Sequence, residues 1–165
     1  MAKIFSFPNP VNETSARIVA GGAVLMGIAY VVTGSGWMLI PLTYGFIARV
    51  LAGPTFSPLG RIATQVITPK LSVQHRFVPG PPKRFAQGVG AAFTITASLL
   101  YISGAHSASQ IVISGLVIAA FLESALAVCL GCIAFGYLMK FGVIPEEVCE
   151  ECNNFTPRSL QTTSL

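Results

Sequence analysis

Apolar residues fall in four long runs, separated by short polar or glycine-rich breaks. From Ile18 to Thr33 the chain is uncharged and mostly apolar, and Gly34, Ser35 and Gly36 interrupt it. A second run, Trp37 to Ala52, carries one charge, Arg49, close enough to its end to snorkel to an interface. Trp37 suits the opposite interface. The third run is Phe85 to Ser103. The fourth starts near Ser109 and continues to Met139, with Glu123 as its one charge. A full span takes about 20 residues, so the first two runs need flanking residues to complete them. The fourth would be about 45 Å long as one straight helix at 1.5 Å per residue, beyond a hydrocarbon core of about 30 Å. It must project, tilt strongly or break, and Gly131 and Gly136 are the expected weak points.

The pattern predicts an all-α membrane protein with four transmembrane helices, at approximately residues 14–33, 37–52, 85–104 and 109–139 of a single domain 1–152. Residues 153–165 are expected to form a flexible C-terminal tail. Asn12 is placed to cap the first helix, with Glu13 in its first turn. The polar, turn-rich opening does not resemble a secretory signal. Between spans two and three, Ser57-Pro58 reads as a cap followed by proline at the first helical position. Leu59, Ile62, Ala63, Val66 and Ile67 then keep helical spacing until Pro69. This predicts a short amphipathic helix, lying on the membrane surface or packed on the end of the bundle.

Composition agrees. Of the 165 residues 53% are hydrophobic and 10% charged, against about 25% charged in a typical soluble domain. Mean hydropathy is +0.70. A soluble globule, a disordered chain and a nucleic-acid-binding module are excluded. The net charge of +4 reflects ten basic residues at the ends of the apolar runs. Lys3, Arg17, Arg49, Arg61, Lys70, Arg76, Lys83, Arg84, Lys140 and Arg158 all fall on one side of the four-span arrangement, and the turns at 34–36 and 104–108 hold none. By the positive-inside rule, both termini and the long linker are expected to be cytoplasmic. Small residues four apart, Ala23/Gly27, Gly88/Ala92 and Gly115/Ala119, allow close helix contact within the bundle or with other membrane subunits.

Five stretches together carry a family resemblance: FPNPVNE (Phe7 to Glu13), FIARVLAGPTFSPLGRIA (Phe46 to Ala63), VPGPPKRFAQG (Val78 to Gly88), FLES..L.VCLGC (Phe121 to Cys132) and GVIPEEVCEEC (Gly142 to Cys152). With these the chain resembles the bacterial integral-membrane family defined as domain of unknown function 4395. The resemblance implies a small multi-span membrane protein and supplies no activity.

Chemistry is concentrated in four cysteines, spaced as two C-x2-C pairs, Cys129/Cys132 and Cys149/Cys152. Positions three apart share a helix face, so each pair can present both sulfurs together. Gly142 can close the fourth helix and let the second pair approach the first. One reading is thiol–disulfide or sulfane-sulfur transfer, in which one thiolate attacks and its neighbour resolves the mixed disulfide, with a thiol-redox or sulfur-carrier protein as partner. A second is a non-enzymatic accessory or scaffold subunit with zinc held by Cys129, Cys132, Cys149 and Cys152. A third is plain packing, since cysteine serves as a small buried hydrophobe. Glu146, Glu147, Glu150 and Glu151 around the second pair weigh against packing there and also disfavour further negative charge. Glu123, an intramembrane carboxylate, is a further candidate site residue. On a regular helix it points away from the thiols of its own run, so it is expected to be protonated or paired with a polar group on another helix. His75 and His106 are expected to be solvated.

Overall fold

The polar opening of the first run and its cap set the start of the fold. A computed structural model of the chain describes residues 9–71 and 77–145. The Asn12 side chain accepts from the Thr14 backbone N–H, at 2.9 Å, and starts α1 (Glu13–Thr33). Gly34 ends it with φ of 65°, a left-handed conformation that glycine adopts without the Cβ clash. A 3-10 turn, Gly36–Met38, leads into α2 (Leu39–Ala52). The chain bends at Gly53 and re-enters helix as α3 (Pro58–Arg61), capped by Ser57 through the Gly60 N–H. A π-helical stretch, Ile62–Ile67, and a 3-10 turn, Thr68–Lys70, prolong it. The long helices α4 (Gly80–Ile102) and α5 (His106–Leu126) follow, then a short α6 (Leu130–Lys140).

Two short strands are an addition to the all-helical expectation: β1 (Val11–Asn12) pairs antiparallel with β2 (Phe77–Val78), with Val11 opposite Val78. The Gly80 N–H donates to Asn9 Oδ1 at 2.9 Å, which ties the start of α4 to the segment before α1.

Four helical stretches are long and apolar enough to cross a membrane: Glu13–Thr33, Gly36–Lys70, Gly80–Ile102 and His106–Leu126. α1 packs chiefly on α5, α2 on α4, and α4 joins the two pairs through α5. The core between them holds Tyr30, Leu42, Phe46, Ala97, Ile113 and Leu116. Gly27 lets α1 approach α5, since a Cβ there would run into Val117. The few buried polar groups are bonded to one another: Tyr30 Oη meets Ser109 Oγ at 2.6 Å, and Ser109 donates to the Ala97 carbonyl at 2.7 Å. The outer surface is apolar where a soluble protein's would be charged, with Val32 78%, Ile111 73% and Ile102 82% exposed. That surface matches lipid, not water.

The structure amends three expectations. The fourth apolar run breaks, but at Ala127–Cys129, ahead of Gly131. Ala127 takes the left-handed turn itself (φ 57°), and its N–H and that of Val128 both donate to the Leu122 carbonyl. Gly131 is used instead for close packing, α6 lying against Ala86 of α4 at that point. Arg49 does not snorkel; it is 5% exposed and bonded inside the bundle. The linker helix is a composite whose apolar stripe is split: Ala63 is fully buried while Ile62 and Val66 are about half exposed. It leans on α1, with Leu59 against Gly22 and a 2.9 Å hydrogen bond between Ser15 and Thr68.

A left-handed conformation costs an L-residue roughly 1–2 kcal/mol. Ala127→Gly is therefore expected to stabilise the protein by about 0.5–1 kcal/mol, after the greater freedom of glycine in the unfolded chain is subtracted. A raised melting temperature in detergent checks this.

Candidate functional site

Helix α5 ends among half-buried and exposed residues, and its last carbonyls need donors. Arg17, one turn into α1, supplies them: Nε donates to the Ser124 carbonyl at 2.9 Å and Nη2 to that of Ala125 at 3.1 Å. A cation at a helix C-terminus also meets the negative end of the dipole. The end of α5 is thereby fixed, and the chain is free to start a new helix after three residues.

That new helix begins on a sulfur. Cys129 is the N-cap of α6, and its Sγ accepts from the Cys132 backbone N–H at 3.2 Å. The two side chains are joined by a disulfide bond, and both residues are half-buried. The first C-x2-C pair thus lies at the mouth of a short helix, on a non-helical bend, where the positive end of the dipole faces Cys129. Cys149 and Cys152 lie outside the described residues. Among the described residues no three His, Cys, Asp or Glu side chains are grouped to hold a metal ion.

The second cluster is ionic. Lys83 Nζ donates to Glu123 Oε1 at 2.6 Å, the two side chains being 8% and 13% exposed. Of the two states expected for Glu123, the structure shows pairing across helices. The relation of Glu123 to the thiols on a continuous helix no longer applies, because the helix stops between them. Next to the pair, Arg49 Nε donates to Gln87 Oε1 at 2.8 Å and Nη1 to Ser57 Oγ at 3.2 Å. Its guanidinium also lies 4.5 Å from the centre of the Phe46 ring. Arg49, Lys83 and Gln87 face a cavity of about 250 Å³ between the starts of α1 and α4, the end of α2 and the linker helix.

The sequence marks Lys83 and Arg17 only as part of a topology signal and Ser57 only as a helix cap, and it assigns no role to Gln87. One signal was available. Lys83 and Gln87 are four apart, so they share a helix face, and a charged residue followed at that spacing by an amide, in an otherwise apolar helix, marks a polar face turned inward.

These features define a class: a mostly helical chain with four span-length helices, a buried cross-helix ion pair and a half-buried cysteine pair at a helix start. The family model described as "Domain of unknown function (DUF4395)" matches residues 11–140, and the chain belongs to that family. The match takes in Glu123, both residues of the first cysteine pair and the whole ionic cluster. No curated protein and no solved structure matches the chain.

Breaking one side of a buried pair leaves an uncompensated charge and costs about 3–5 kcal/mol, whereas replacing both partners by uncharged groups costs far less. Lys83→Met and Glu123→Gln are each expected to destabilise by about 3 kcal/mol or more, and the double variant by less than either. Thermal unfolding of the four proteins of this cycle checks it.

Proposed function

We propose that the protein carries out thiol–disulfide exchange in the bacterial cytoplasmic membrane, with Cys129 as the attacking sulfur and Cys132 as the resolving one. The observation behind this reading is the Cys129–Cys132 bond at the first turn of α6. A thiolate at Cys129 would face the Cys132 N–H and the positive end of the helix dipole, both of which favour negative charge there. Cys132 sits three residues further on, close enough to displace whatever Cys129 has bound.

The exchange balances within itself. A dithiol protein donates: its thiolate attacks one sulfur of the pair, the Cys129–Cys132 bond breaks, and the donor's second thiolate resolves the mixed disulfide. The donor leaves as a disulfide, and two electrons and two protons remain on Cys129 and Cys132. In the other direction, Cys129 attacks a protein disulfide and Cys132 closes the ring again. Cys149 and Cys152, a second C-x2-C pair, lie outside the described residues. The closeness of Cys129 and Cys132 supports exchange; sulfane-sulfur carriage and a zinc site held by Cys129, Cys132, Cys149 and Cys152 are the other readings of the same spacing.

Cys132→Ser, in a background with Cys149 and Cys152 also changed to Ser, is expected to accumulate a mixed disulfide with an oxidised dithiol protein of the thioredoxin type. Cys129→Ser in the same background should trap far less, and reductant should release the adduct. Equal trapping by both variants, or by neither, would refute the assignment. Non-reducing gel electrophoresis and intact-mass measurement read the result.

The basic residues further support an arrangement with both termini and the linker in the cytoplasm. Single cysteines at Ser35 and Ser107, in a chain lacking the native four, are expected to react with a membrane-impermeant maleimide in whole cells. One at Gln65 should react only after lysis. The inverse pattern would place the native thiols on the oxidising side.

A further inference from the structure

The ionic cluster is short of negative charge. Arg49 and Lys83 both line the cavity and are 5% and 6% exposed. The one carboxylate bonded to either of them, Glu123, is taken up by Lys83. Arg49 is held by neutral partners, Gln87 and Ser57. The Gln87 amide accepts from Arg49 through Oε1, which leaves its two N–H groups to donate elsewhere. The start of α1 lies on the same cavity through Asn12 and Ser15, with Glu13 in its first turn. Two buried cations with one carboxylate between them are costly in an apolar surrounding, and the compensation that fits these donors is an anion with several acceptor oxygens.

The rest of the cavity is apolar, with Val11, Val19, Pro54 and Phe77 in its wall. Its volume of about 250 Å³ is that of roughly eight waters at about 30 Å³ each. It would take a phosphate or carboxylate with a few attached carbons, and not a whole lipid.

We propose that this cavity binds the oxyanion of a membrane amphiphile, its phosphate or carboxylate held between Arg49 and Lys83 and its apolar stem against Val19 and Phe77. The site is separate from the cysteine pair and stands whether or not thiol exchange occurs there.

The test uses the full chain purified in a neutral detergent and exchanged into nanodiscs of phosphatidylcholine with or without phosphatidylglycerol. Native mass spectrometry counts retained lipid, and inorganic phosphate is titrated separately against thermal unfolding. Ala16→Phe fills the cavity from α1 and leaves both cations in place; Arg49→Gln removes the guanidinium. The expected result is one phosphatidylglycerol retained by the unaltered protein in preference to phosphatidylcholine, and retention lower by about tenfold or more in both variants, the scale of a lost charge-assisted hydrogen bond. If phosphate alone stabilises the protein, and Ala16→Phe abolishes that effect, the oxyanion site stands with a soluble occupant. If Arg49→Gln does not fold, Ala16→Phe decides. Binding of phosphatidylglycerol and phosphate that Ala16→Phe leaves unchanged, or no binding of either, overturns the proposal.

Discussion

A helix that stops must find donors for its last carbonyls, and the end of α5 is where another helix of this protein supplies them. The chain does not continue as helix there. Arg17 reaches over from α1 to the Ser124 and Ala125 carbonyls, while the backbone turns back on Leu122 through Ala127 and Val128. Once these groups are satisfied the chain can change direction. Only then can α6 begin on Cys129 and lie across α4, where Phe85 and Phe135 meet with ring centres 5.6 Å apart.

Charge placement near that end runs against helix electrostatics, apart from Arg17. Lys83 sits in the first turns of α4, where a cation opposes the dipole, and Glu123 in the last turn of α5, where an anion does. Each charge is unfavourable alone, and the 2.6 Å pair offsets both. Such a pair adds little net stability compared with apolar groups of the same shape. What it does provide is register: with Lys83 bonded to Glu123, α4 and α5 cannot slide past one another by a turn without exposing two buried charges to hydrocarbon.

The four apolar runs were legible because hydropathy acts over windows of about 20 residues and needs no partner. The caps at Asn12 and Ser57 were legible for the same reason, since each acts within three residues. The break in the fourth run was foreseen but placed at the glycines. Helix propensity points to Gly131 and Gly136, whereas the break falls where Arg17 from another helix satisfies the carbonyls and where Cys129 caps the next helix. The ionic cluster was the least legible part. That Glu123 would pair across helices was one of the readings open to it, but its partner depends on the relative rotation of α4 and α5. That rotation is set by packing, at places such as Gly90 against Phe46 and Gly115 against Phe93. Arg49 looked like an interface residue because distance to the end of a run says nothing about Gln87, which waits on a neighbouring helix.

Five consecutive residues at the start of α4 connect these features. Lys83 holds Glu123 of α5, and Arg84 Nε donates to the Val50 carbonyl of α2 at 3.0 Å. Phe85 meets Phe135, Ala86 meets Gly131, and Gln87 holds Arg49. A helix turns 100° per residue, so five successive side chains point all round it. That is how one short stretch can touch α2, α5 and α6 at once. It also shows how a run as polar as Lys83–Arg84 and Gln87 can open a span-length helix: each of the three makes a hydrogen bond to a neighbouring helix. The cavity wall and the seat of the cysteine-bearing helix are therefore opposite sides of the same helical turn, and the N–H of Gly80 bonded to Asn9 holds that turn to the strand before α1.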